Sequence, residues 1–258
     1  MRRWWWLVAV GVVTAVGWLA WQFRAPMLGW VQTVCGQVLP SPPAAPQPDA
    51  VKYRTLVAAL DSQRRDLAKR YQAAKTPATR AAIEGEARAA LEQTLPGMMR
   101  CWLGTPWDFN GTATTPGVGK IACGYFVATL LRDAGFRVNR NLLAQQASGN
   151  IMHSFLPKDA CTLRVGADYT VFADDLAKAE SGIYLVGLDR HVAFLVVEKD
   201  GFRFIHSSGA RPWCVVDEGR DEAGALQRSH WRMLGNLTAH RAVLRRWLDH
   251  GQITVKTS

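Results

Sequence analysis

The chain opens on an uncharged apolar run, Trp4 to Gln22, preceded by Arg2 and Arg3. As a helix this run is roughly 28 Å long, about the thickness of a bilayer's hydrocarbon core. Trp4, Trp5, Trp6, Trp18 and Trp21 gather at its two ends, where amphipathic rings favour the membrane interface, and the two arginines hold that end cytoplasmic. The pattern predicts a transmembrane signal-anchor over 1–25, single-pass in the cytoplasmic or inner membrane. The N-terminus lies inside and the rest lies in the periplasm or extracellular space. A cleavable signal peptide is the competing reading, but Trp18-Leu-Ala20 makes a poor small-x-small cleavage site.

Residues 26–50 read as a Pro-rich linker. Leu39 to Asp49 holds five prolines that deny the backbone its donors, so the segment stays extended as a semi-rigid spacer. From 51 to 99 the composition turns to Ala, Leu, Arg, Lys, Gln and Glu, with Leu56, Leu60, Leu67 and Tyr71 at helical spacing. Pro77 splits this stretch into helices near 51–74 and 78–95, a hairpin extension packed on the domain or a docking arm for a partner.

The remaining residues, 100–258, form the predicted main domain. A helix-like run follows Cys123, and a further helix is expected near 141–146. Gly182 to Leu188, His191 to Val197 and Gly201 to His206 are rich in β-branched and aromatic residues, broken by Asp189-Arg190 and Lys199-Asp200. They predict an antiparallel meander, with Trp213 to Val216 as a further strand and a closing helix over 239–250. Helices followed by antiparallel strands make the fold class α+β. A loop of even length between the second and third strands, two residues or four, sets His206 opposite Ala193. His191 and His206 then share a face as diagonal neighbours roughly 7 Å apart.

At 258 residues, with 48% apolar side chains and a formal charge of +10, the chain is long enough for one sizeable core. The positive charge suits an anionic membrane or envelope polymer. Its basic residues are scattered and no nucleic-acid fold signature is present, which argues against nucleic acid as a partner. Five cysteines without a C-x-x-C pair, and histidines without metal spacing, give no zinc site, and no cofactor is expected. Gly117-Val-Gly-Lys120 lacks the glycine and hydroxyl positions of a phosphate loop. In an oxidising compartment Cys35, Cys101, Cys161 and Cys214 can pair and leave Cys123 free, in a connectivity that spacing leaves open. Cys35 lies too far past the apolar run for a lipidated cysteine.

Cys123 stands where the irregular Gly111–Gly119 stretch gives way to a helix, a placement in which first-turn N–H groups and the helix dipole favour thiolate over thiol. A thiol nucleophile needs an imidazole to take its proton and return it to the leaving amine, and a polar group to hold that imidazole's tautomer. Cys123, His191 and His206 supply these catalytic parts. A buried structural thiol and ordinary core or surface histidines are the plain alternatives for each residue taken singly.

Gly104-Thr-Pro-Trp-Asp-Phe-Asn-Gly111, Ala122-Cys-Gly-Tyr-Phe, Arg190-His-Val-Ala-Phe-Leu-Val196 and Phe204-Ile-His-Ser-Ser-Gly209 follow one another in this order. The succession, covering 104–209, resembles the NlpC/P60 superfamily of papain-like cysteine peptidases as a divergent member. The resemblance implies a papain-like core, a Cys-bearing helix packed on an antiparallel sheet. It casts Cys123 as nucleophile, His191 as base and His206 as orienting residue, with substrate contacts at Trp107, Gly124 and Ser207. It departs from the family where Asp before the cysteine is Ala122, Ser after it is Gly124, and Tyr in the leading stretch is Trp107. The expected function is a membrane-anchored, extracytoplasmic cysteine hydrolase cleaving amide bonds, with peptidoglycan stem peptides as substrate. The alternatives are an inactive wall-binding or scaffold protein on the same fold, or an amidase or transpeptidase acting on another substrate.

Overall fold

Asp49 and Thr76 start the two long helices. The Asp49 carboxylate accepts the N–H of Lys52 at 2.8 Å, and the Thr76 hydroxyl accepts that of Thr79 at 3.1 Å, each satisfying a donor the helix leaves free. The computed structural model describes residues 46–257. The expected membrane anchor, most of the linker and Cys35 lie outside those residues. No helix among the described residues is long and apolar enough to cross a membrane.

Helices α1 (Ala50–Ala73) and α2 (Pro77–Arg100) form the expected hairpin, with Pro77 in the first turn where its missing N–H costs nothing. The second helix runs on past the expected end at 95, through Pro96. The hairpin's apolar side chains belong to the domain core: one buried cluster joins Leu60 and Leu91 to Phe126, Phe194 and Trp247. Tyr53 donates to Asp133 at 2.9 Å, and the buried Glu84 accepts from Arg241 and Arg245.

The fold is α+β, a helical N-terminal part followed by a six-stranded antiparallel sheet packed with helices. Helices α3 (Cys123–Asp133), α4 (Arg140–Ala144) and α5 (Ser148–Phe155) precede strand β1 (Thr162–Val165) and helix α6 (Tyr169–Ala177). Strands β2 (Gly182–Leu188), β3 (His191–Glu198), β4 (Gly201–Ser207) and β5 (Val215–Glu218) form the meander. Helix α7 (Gly224–Arg228), strand β6 (Trp231–Asn236) and helix α8 (Arg241–Leu248) close the chain. The sheet order is β1-β6-β2-β3-β4-β5.

β1 and β6 were not expected from the sequence. The residues of β1 are exposed throughout, and Arg232, Gly235 and Asn236 break the apolar alternation of β6. The strand expected over 213–216 begins two residues later, because Trp213 adopts a φ of 60°, outside the extended range. Both sheet faces are covered. Phe126 of α3 meets Phe194 edge to face at 6.2 Å on one side, while Leu195, Val197 and Phe204 pack with Phe172 and Leu226 on the other.

Candidate active site

The 101–122 segment is folded so that it delivers Cys123 to the first position of α3. The carboxylate of Asp108 accepts the N–H of Asn110 at 2.9 Å, turning the chain, and the backbone then pairs Ile121 N–H with Pro106 and Ala122 N–H with Gly111. Gly111 has no room for a side chain: an added Cβ would lie 2.6 Å from the Ile121 nitrogen. Ala122 is extended, with φ −80° and ψ 160°, and its methyl cannot cap the helix. The first-turn N–H groups of Cys123 and Gly124 are thereby left without a side-chain cap.

Gly124 is explained by packing. A Cβ there would collide with the backbone carbonyl oxygen of Ala144, at the end of α4. The serine found at this position in the resembled family therefore does not fit this backbone. Gly124 also lines the cleft, as its expected substrate contact requires, whereas Ser207 does not. Ser207 is fully buried and donates to the Ile121 carbonyl at 2.7 Å, tying β4 to the segment before the cysteine. Where a substrate contact was expected, the Ser207 hydroxyl is engaged within the fold.

The even-loop register holds. Glu198 pairs with Gly201 across a two-residue turn and Phe194 with Ile205, so the next pair along is Ala193 with His206. The two imidazoles meet on one face, with His191 Nε2 2.8 Å from His206 Nδ1 and the rings nearly perpendicular at 84°. His206, 1% exposed, lies against the ring of Phe204 at 4.2 Å, and its Nε2 is 3.1 Å from a carboxylate oxygen of Glu218. Sequence reasoning missed Glu218 by ending the last strand at Val216. The signal was strand parity: Val216 pairs with His206, so Glu218 two residues on faces the same side.

α3 packs on the opposite face of the sheet from His206, and His191 stands at the first position of β3. There Cys123 and His191 line one cleft of about 1140 Å³. Trp107 forms part of its wall, its ring 5.5 Å from that of Trp213 and tilted 40° to it, and Tyr125 and Gln145 form another, joined at 3.3 Å. Among the described residues, Arg190 is the charged side chain lining the cleft and no carboxylate lines it. Among the described residues, no three His, Cys, Asp or Glu side chains are grouped to hold a metal ion.

Electrostatics modify the expectation for the thiol. Burial pushes the Cys123 thiol up, and the N–H groups of Val192, Gly124 and Cys123 offset only part of that effect. Burial, reinforced by neighbouring His206, holds His191 well below the ordinary imidazole value. The helix start therefore does not by itself produce a thiolate here, because desolvation outweighs it. Both shifts favour the neutral forms, thiol and imidazole, near neutral pH. Cys101, Cys161 and Cys214 are also free thiols, so the pairing that cysteine counting allowed is not formed among the described residues.

No known protein family, no curated protein and no solved structure matches this chain.

Proposed function

We propose that this chain is a cysteine hydrolase of amide bonds, a divergent relative of the NlpC/P60 peptidases, tethered by its N-terminal segment and working outside the cytoplasm on peptidoglycan stem peptides. The observation that supports this reading is the shared cleft, with the Cys123 thiol and the His191 imidazole on its wall and His206 behind the imidazole. In the proposed reaction His191 Nδ1 takes the Cys123 proton as the sulfur attacks the substrate carbonyl. The imidazolium returns that proton to the leaving amine, and water then releases the acyl group from sulfur. N–H groups at the start of α3 are the donors for the oxyanion. With Arg190 and, among the described residues, no carboxylate in the cleft, an anionic wall peptide is favoured over a cationic one.

A second reading is an inert wall-binding protein, favoured by the upward push on the thiol. Digestion of purified cell wall, with fragments identified by mass, separates the two. The hydrolase releases peptide fragments cut at one amide bond, and Cys123→Ala releases none. Wall that is bound but left intact by the wild-type chain contradicts the proposal.

A further inference from the structure

Glu218 lies behind His206, outside the Cys–His–His set. The carboxylate only accepts hydrogen bonds, so a neutral His206 facing it carries its proton on Nε2. Its Nδ1 is then a lone pair, and the 2.8 Å contact with His191 is made by the Nε2–H of His191 donating. That leaves His191 Nδ1 unprotonated, the form able to take the proton of Cys123. With the reverse tautomer of His206, Nδ1–H would donate to His191 Nε2 and place a proton on His191 Nδ1. The base would then be blocked.

We infer that Glu218 is a positioning residue that fixes the tautomers of His206 and His191 and so keeps His191 Nδ1 free as the base. This rests on the Cys123–His191 reading and adds to it the residue that sets the chain's polarity. The transfer is a single proton: the S–H bond of Cys123 breaks and the Nδ1–H bond of His191 forms. The His191 Nε2–H and the His206 Nε2–H stay where they are. Glu218 is 20% exposed at the end of β5, and its contact with His206 crosses between paired strands.

The test uses the full chain with nitrogen-15 histidine. It reads two quantities near neutral pH: the rate of iodoacetamide alkylation at Cys123, and the nitrogen shifts that report which His191 nitrogen is protonated. In wild type, His191 carries its proton on Nε2 and Cys123 is the fastest thiol. Glu218→Gln keeps the shape, yet its amide can donate as well as accept. We expect it to mix the His191 tautomers and slow Cys123 by about tenfold or more. Glu218→Asp, still a carboxylate, should restore part of the rate. A Glu218→Gln protein with wild-type rate and Nε2–H shifts overturns the inference, as does a slowed protein whose His191 tautomer is unchanged. If wild-type Cys123 alkylates no faster than Cys101, Cys161 and Cys214, the nucleophile itself is lost, and the inference falls with the reading beneath it.

Discussion

The Nε2 of His191 lies 2.8 Å from the Nδ1 of His206, ring edge to ring face, although fifteen positions separate them in the chain. The two-residue turn between β3 and β4 fixes this contact, because it sets the parity that puts both rings on one face. Removing the second ring with His206→Ala should lower hydrolysis or Cys123 alkylation on the order of 100-fold, since it frees the orientation of the base. His206→Asn, which keeps an acceptor, should lose less. Equal rates for both variants and wild type would remove His206 from the account.

Acidity provides an independent check. Burial keeps His191 neutral below the ordinary imidazole value of 6.5, and a neutral ring is the form that accepts the thiol proton. The acid limb of Cys123 alkylation should therefore lie below 6.5. The thiol is pushed above its ordinary 9.0, so in His191→Ala the rate should rise only under more alkaline conditions than that. Rate profiles of the two proteins check both limbs; an acid limb above 6.5 in the wild type contradicts the neutral-pair picture.

Gly124 should resist replacement. In Gly124→Ser the new Cβ meets the carbonyl of Ala144, a backbone atom that no rotamer can move aside. We expect a loss of about 1–3 kcal/mol from overpacking, seen as a lower melting temperature, together with slower Cys123 alkylation as α3 and α4 separate. A Gly124→Ser protein as stable as wild type would show that the contact yields without cost.

Glu84 ties the helical hairpin to α8. It is 4% exposed and accepts from Arg241 and Arg245 at 2.7 Å each, and from Tyr71 at 3.2 Å. Burial alone would raise its pKa, but the hydrogen bonds from Arg245, Arg241 and Tyr71 outweigh burial and hold it below the ordinary 4.5. A depressed carboxylate stabilises the fold above its unfolded value, and that contribution fades as pH falls through the folded one. Glu84→Gln should cost about 1–3 kcal/mol near neutral pH in chemical denaturation, and the gap to wild type should narrow well below 4.5.

Local periodicity made the hairpin, the meander and the closing helix legible. Thr76-Pro77 marked the helix break, and the turn at Lys199-Asp200 gave the parity of the two histidines. Trp107, expected to contact substrate, lines the cleft. What sequence did not yield depends on distant packing. The need for Gly124 comes from the carbonyl of Ala144, twenty positions away, and Ser207 is turned inward by the carbonyl of Ile121. The upward push on Cys123 comes from burial, which no spacing reports. Glu218 was within reach of parity reasoning, but only once the register of β5 against β4 was known.

The most direct test is competitive alkylation of the full chain near neutral pH, with each cysteine's rate read by mass in wild type and His191→Ala. The account predicts that Cys123 reacts faster than Cys101, Cys161 and Cys214, and that this advantage vanishes when His191 is removed. A Cys123 that is no more reactive than the other thiols, or one indifferent to His191, would contradict it.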